Sequence, residues 1–280
     1  MIFEVSSTIV YEAIQASTLV LNIEPFPSDR QQVNEELLSV TEPCNIRSLA
    51  VTRGEKRLRV LEISSPGKVQ INYKGLVSND LIAIPAAELD DVPIINMPSE
   101  VLAYLTPSRY CQSDKLYKFA YHNFGHINHA FEKVMAIRNW IHRNVEYAGG
   151  YTSPQTSAYD TITEQVGVCR DFAHLGVALC RALTIPARYF TGYAYQLNPP
   201  DFHACFEAYL GGHWIIVDAT KLVPLNGLIK IATGVDATDT AFANIFGHLN
   251  FQQLTVNVSA RKEGFEAVNA EGLAYGYSCA

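Results

Sequence analysis

Gly167-Val168-Cys169-Arg170-Asp171-Phe172-Ala173-His174-Leu175-Gly176-Val177-Ala178-Leu179-Cys180-Arg181-Ala182-Leu183 is the stretch around which the rest of the chain is organised. Phe172, Leu175, Gly176, Leu179 and Leu183 recur on one helical face, so a helix is predicted from about Cys169 to Leu183, stopped by Pro186. A cysteine that opens a helix has its sulfur beside unpaired N–H groups and the positive end of the helix dipole, which favour thiolate. An isolated cysteine is more often a small buried apolar residue, and Cys180 is read that way. It lies about 16 Å further along the same helix, too far from Cys169 for a disulfide.

Beyond Pro186 the chain changes to strand-like segments: Arg188 to Gln196, His203 to Leu210, His213 to Ala219 and, near the end, Gln253 to Ser259. The segment from His203 to Asp218 reads as a hairpin around Gly211-Gly212. An even turn there places Cys205 opposite Asp218 and His203 opposite Thr220. His203 and Asp218 then become diagonal neighbours on one face, roughly 7 to 8 Å apart, within joint reach of an imidazole and a carboxylate. A three-residue turn would slip the register and separate them. Singly, His203 reads as a hydrogen-bonded strand histidine and Asp218 as a strand-end turn residue. Together with a helix-opening cysteine they form a thiol nucleophile, a base and an orienting carboxylate. The carboxylate is expected to hold Nδ1–H of His203 while Nε2 faces Cys169.

Upstream, Asp114 reads as the N-cap of a helix running to about Phe124, and a second helix covers roughly Ala130 to Arg143 with Val134, Ile137 and Ile141 on one stripe. After a Gly/Ser/Thr-rich loop, Ala148 to Ala158, Thr161-x-x-Glu164 reads as a capping box. Ala86 to Cys111 carries Pro93, Pro98 and Pro107 and suits a connecting segment. Before it lie short strands punctuated by turns: Thr8 to Ala13, Thr18 to Glu24, Ile46 to Thr52, Arg57 to Ser64, Lys68 to Lys74 and Leu81 to Pro85. The expected organisation is a β-rich, sandwich-like N-terminal domain over residues 1–105 and an α-then-β catalytic domain over 106–280. The late strand joins the catalytic sheet or closes against the N-terminal unit.

The chain has 280 residues, 48% hydrophobic and 18% charged, a folded composition long enough to bury a sizeable core. A formal net charge of −7 repels phosphate backbones and anionic lipid, so neither nucleic acid nor a membrane is an expected partner. No stretch approaches the roughly 18 apolar residues of a spanning helix. Met1-Ile2-Phe3-Glu4-Val5 lacks the features of an export signal, and the 6 cysteines contain no CxxC pair. Free thiols in a reducing cytoplasm are therefore expected. His122 and His126 have the spacing of helical metal ligands, with His129 beyond. Gly125 and Asn128 break the helix between them, so a polar interhelix loop is expected and no metal.

Gly167 through Leu175, Ile185-Pro186-Ala187-Arg188-Tyr189 with Gly192-Tyr193, His203-Ala204, and Trp214 through Asp218 to Thr220 resemble the core of the bacterial transglutaminase-like superfamily of cysteine proteases. Pro107-Ser108-Arg109-Tyr110-Cys111, Gly234-Val235-Asp236-Ala237-Thr238-Asp239 and the β-rich N-terminal region also look like that group. The resemblance covers nearly the whole chain. It implies an α+β, transglutaminase/papain-like core in which helices precede an antiparallel sheet. It further implies Cys169 as nucleophile, His203 as general base and then acid, Asp218 as orienter, and no cofactor. Tyr147 becomes a candidate side-chain donor to the oxyanion, beside the Cys169 N–H. Where the family commonly has Trp two positions after the histidine, this chain has Cys205, a candidate pocket residue for which a conservative core filling is the favoured reading. The implied activity is hydrolysis of an amide or peptide bond in a peptide or protein substrate through an acyl-enzyme thioester. The same triad serves acyl transfer to an amine, and a noncatalytic protein-binding module on this fold is the rival from another class.

Overall fold

Period-two patterning builds the first strand, β1 (Ile2–Ala13): Phe3, Val5, Ser7 and Ile9 are buried and the residues between them partly exposed. The computed structural model describes residues 1–41, 44–51, 54–261, 264–269 and 272–280. After β1 come β2 (Ser17–Leu21), β3 (Gln31–Val40), β4 (Asn45–Leu49), β5 (Leu58–Ile63), β6 (Gly67–Asn79) and β7 (Ile82–Pro85). The middle of the chain holds α1 (Ser99–Leu102), α2 (Ser113–Phe124), α3 (Ala130–Asn144), β8 (Glu146–Tyr147), α4 (Ala158–Glu164), β9 (Val166–Gly167) and α5 (Cys169–Ala182). Then follow β10 (Ala187–Ala194), β11 (Phe202–Leu210), β12 (His213–Val217), β13 (Leu228–Gly234), α6 (Ala237–Thr240), β14 (Ala243–Phe246), β15 (Leu249–Ala260) and β16 (Tyr275–Ser278).

Two four-stranded sheets, β15-β1-β6-β3 and β14-β2-β5-β4, share a core that includes Phe3, Ile9, Leu19, Leu61, Ile71 and Val256. This is the β-rich N-terminal unit. A third antiparallel sheet, β12-β11-β10-β13, carries α5 on one side. Phe172, Leu175 and Leu179 of the helix share a core with Phe206 and Ala208 of β11. The close approach needs Gly176, because a Cβ there would lie 2.3 Å from Cε1 of Phe206. The architecture is thus the mixed α and antiparallel-β arrangement expected.

The late strand takes the second of its two expected places. β15 pairs with β1, Val5 against Val258 and Ile9 against Leu254, and β14 pairs with β2. Tyr193, Ile229, Ile231 and Ala232 of the helix-bearing sheet complete the sandwich core. Polar contacts seal the seam: Gln31 Nε2 donates to the Lys230 carbonyl at 2.7 Å, and Lys230 N–H donates back to Gln31 Oε1 at 2.7 Å. Lys230 Nζ reaches Glu55 at 2.7 Å, and Arg188 reaches the same carboxylate at 3.2 Å.

Local expectations differ at several points. Asp114 lies in the first turn of α2 rather than at its N-cap, which is Gln112. The capping box of α4 is Ser157 with Asp160, whose Oδ2 accepts the Ser157 N–H at 2.9 Å. Ser157 has the extended backbone an N-cap requires, whereas Thr161 is already helical and donates its hydroxyl back to the Ser157 carbonyl at 3.0 Å. The strand expected from Ile46 to Thr52 is observed as β4, and Thr52 lies outside the described residues. β3 and β13 were not expected. β3 is an edge strand with most side chains exposed and a bulge near Asn34, so it has no apolar alternation. β13 is buried along its whole length and equally lacks a period of two.

Candidate active site

The loop that presents Cys169 is held by a buried carboxylate two residues further on. Asp171 Oδ2 accepts the Val168 N–H at 3.0 Å, and its Oδ1 accepts Arg170 Nε and Nη2 at 3.1 and 3.0 Å. Arg170 also donates to the Ser153 carbonyl at 2.8 Å, tying in the Gly/Ser/Thr-rich loop. A Cβ at Gly167 would lie 2.7 Å from Cβ of Asp171, so only glycine permits this approach. Helix α5 then begins at Cys169 itself, and the thiol is partly exposed at the helix N-terminus.

The hairpin has the expected register. Gly211 and Gly212 both have positive φ, 55° and 87°, as a two-residue primed turn requires, and Phe206 pairs with Val217. That register extends to Cys205 opposite Asp218, which brings Asp218 to His203 on the same face. Oδ2 of Asp218 lies 3.0 Å from Nε2 of His203, and both side chains are buried. Thr220 fixes the other carboxylate oxygen, donating its N–H to Oδ1 at 2.8 Å and its hydroxyl at 2.7 Å. Arg138 Nε donates to the Asp218 carbonyl at 3.0 Å. The ring also interacts with the Cys169 thiol.

The ring nitrogens have the opposite roles to those expected. Nε2, not Nδ1, meets Asp218, while Nδ1 has no hydrogen-bond partner of normal geometry among the described residues and is the nitrogen left for sulfur. The reason is reach: Nε2 lies further from the backbone than Nδ1, and the carboxylate sits across a diagonal of the ladder. Burial opposes a charge on the ring. The Asp218 carboxylate, with further help from Cys169, outweighs it and pushes His203 up to about 10. For Asp218, burial favours the neutral acid, but His203 and the two Thr220 donors hold the carboxyl below its ordinary range.

Tyr147 is brought to the same place by a two-residue parallel pairing of β8 with β9, Tyr147 opposite Gly167. Ala148 N–H donates to the Gly167 carbonyl at 3.0 Å. The Tyr147 phenol lies close enough to Cys169 for both its N–H and its sulfur to act on the phenol proton. Burial first, and then the neighbouring sulfur, raise the phenol to about 12, so it stays protonated and able to donate at neutral pH.

Cys205 does not reach the cleft. It packs with Phe190, Ile216, Leu228 and Cys279 in a separate core and is 1% exposed. Two residues along the strand from His203, it shares the face but lies inward of the mouth. His122, His126 and His129 straddle the end of α2 at Phe124, so helical ligand spacing does not apply. Among the described residues no group of three His, Cys, Asp or Glu side chains has a geometry that could hold a metal ion.

The cleft containing Cys169 and His203 has a volume of about 670 Å³. One wall joins the two outlying motifs. Asp236 Oδ2 accepts the Tyr110 N–H at 2.9 Å, and Arg181 reaches the Val235 and Thr106 carbonyls at 2.7 and 3.0 Å. His174 stacks on Tyr110 at 4.9 Å, and its Nε2 accepts the Ala237 N–H at 3.1 Å. Burial drives this histidine down to about 3, which keeps it the neutral acceptor that contact needs. Sequence reasoning missed Asp171, Arg138 and His174 as supports. The Asp218-x-Thr220 spacing was the legible signal for the carboxylate's own anchor, because an aspartate readily accepts the N–H two residues on.

Residues 118–219, which include Cys169, His203 and Asp218, match the core of the transglutaminase-like superfamily, and residues 1–100 match the bacterial transglutaminase N-terminal domain. A solved structure from Cytophaga hutchinsonii, described as a candidate cysteine protease, is 47% identical with a TM-score of 0.96, over 99% of this chain and 97% of that one. An uncharacterized Mycobacterium leprae protein is 31% identical over 123 residues, 41% of this chain and 44% of its own length. An uncharacterized Mycobacterium tuberculosis protein is 26% identical over 188 residues, 64% of this chain and 55% of its own. The chain therefore spans about half the length of these mycobacterial relatives. With a likeness to the Cytophaga structure that extends from end to end, and with both matched regions in the expected order, the chain belongs to the transglutaminase-like superfamily.

Proposed function

We propose that the protein is a thiol-dependent hydrolase of amide or peptide bonds in peptide or protein substrates. The observation that carries this reading is the connected series Cys169, His203, Asp218 and Thr220, with the sulfur at a helix N-terminus in an open cleft and the histidine and carboxylate buried behind it. His203 takes the Cys169 proton at Nδ1, and imidazolium is stabilised by Asp218 at Nε2. The thiolate attacks the substrate carbonyl carbon, and the oxyanion is held by the Cys169 N–H and the Tyr147 hydroxyl. Imidazolium then protonates the departing amine, leaving a thioester. Water, deprotonated by the neutral ring, attacks the thioester and releases the acid and the thiol. No cofactor enters these steps.

The test is a screen of peptides with and without added amines, monitored by mass spectrometry, on native protein and on Cys169→Ala. Hydrolysis lost in Cys169→Ala supports the reading. Amine incorporation in place of hydrolysis would reassign the protein to acyl transfer. Failure of a thiol-reactive probe to label Cys169 in preference to the other five cysteines would favour a noncatalytic binding module.

A further inference from the structure

We infer that the N-terminal β-unit builds a subsite that recognises an amide group of the substrate, with Asn22 as its reader and Thr191 lining the same cleft. This rests on reading the cleft around Cys169 as the substrate site. Asn22 follows β2 and lines that cleft together with Thr191 of β10. Its backbone is pinned, N–H to the Phe242 carbonyl at 2.9 Å, and the residue is 1% exposed. Both polar atoms of its side chain, Nδ2 and Oδ1, are buried without a hydrogen-bond partner among the described residues, and so is Oγ1 of Thr191. Buried polar groups are almost always paired, and three unpaired ones on one cleft are a concentrated exception. They come from different halves of the molecule, so no single local distortion accounts for them.

The chemistry of the three atoms selects the ligand. A carboxamide offers one donor and one acceptor side by side, which is the complement of an amide N–H and C=O, and the hydroxyl can serve either. The lining is largely apolar, with Ile231, Phe242, Phe202 and Ala243 on it, and it carries one carboxylate, Asp201. Of the cleft's cations, Arg170 is engaged by Asp171 and the Ser153 carbonyl and His203 by Asp218, which disfavours a carboxylate ligand. Facing an amide, Asn22 donates Nδ2–H to the substrate carbonyl and accepts the substrate N–H at Oδ1. The amide comes either from the substrate backbone or from a glutamine or asparagine side chain.

Equilibrium binding to the Cys169→Ala protein, which turns nothing over, separates these sources. The probes are acetyl-tetraalanine methylamide, versions with one backbone amide replaced by an ester, and versions with one alanine replaced by glutamine or by norleucine. Backbone reading gives about tenfold weaker binding for one ester position, and side-chain reading gives a similar preference for glutamine over norleucine. Asn22→Leu in the same background should erase whichever preference is seen. Thr191→Val, which keeps the shape and removes the hydroxyl, should reduce it several-fold and serves if Asn22→Leu does not fold. No preference in either series, no binding of any probe at millimolar concentration, or a preference that survives in both variants would overturn the subsite. Methyl methanethiosulfonate labelling of the native protein reports separately on Cys169. An unreactive Cys169 beside Asn22-dependent binding would retire the hydrolase reading and keep the subsite.

Discussion

Replacing Asp218 by asparagine removes one charge and keeps the shape, and the structure sets how much that charge is worth. His203 is fully buried, which by itself would lower its affinity for a proton, yet Asp218 raises the ring from the ordinary 6.5 to about 10. Asparagine can still accept from Thr220 at Oδ1, so the local turn survives, but it cannot stabilise imidazolium and can turn its NH2 toward Nε2. Disrupting a buried charged pair costs roughly 3 to 5 kcal/mol. At about 1.4 kcal/mol per tenfold, amide hydrolysis and alkylation of Cys169 near neutral pH should fall by on the order of 10² to 10⁴. Two measurements check this: the rate of iodoacetamide labelling at Cys169 by peptide mapping, and the His203 titration followed by NMR. In Asp218→Asn only the weaker help from Cys169 is left to oppose burial, and the ring should titrate well below its native value. A folded variant that alkylates at the native rate, with His203 still protonated at about pH 8, would refute the assigned role of Asp218.

The same pair gives a pH dependence of stability. His203, raised in the folded state, contributes fully below 6.5 and loses that contribution as pH climbs through about 10, while Asp218, lowered from 3.8, loses its contribution on acidification. Urea unfolding should therefore show the gap between native protein and Asp218→Asn narrowing from pH 6 to pH 9.5. Tyr147→Phe removes the proposed side-chain donor to the oxyanion and should lower kcat about 10- to 1000-fold while leaving Cys169 alkylation within a few-fold of native, in paired steady-state and labelling assays. Gly176→Ala puts a methyl against the Phe206 ring and should reduce stability by roughly 1 to 3 kcal/mol in chemical denaturation. Phe206→Leu in the Gly176→Ala background should recover part of that loss, because the crowded ring is gone.

Much of the chemistry was readable along the chain because its geometry is local. Cys169 opens a helix whose apolar stripe is regular, and the diagonal meeting of His203 with Asp218 follows from a two-glycine turn and the period of two. Tertiary packing decided what distant segments do to each other. Which nitrogen of His203 faces sulfur depends on where the diagonal carboxylate sits, and which residues pack around Cys205, Cys279 among them, was set by segments far along the chain. β15 joined β1, more than 200 positions away, because the apolar alternation of Leu254, Val256 and Val258 specifies a half-buried strand but not its partner. Asn22 carries no pattern in the sequence. Only the fold of β2 against Phe242 places its carboxamide in the cleft that Cys169 occupies, because a polar side chain takes its meaning from the groups that surround it.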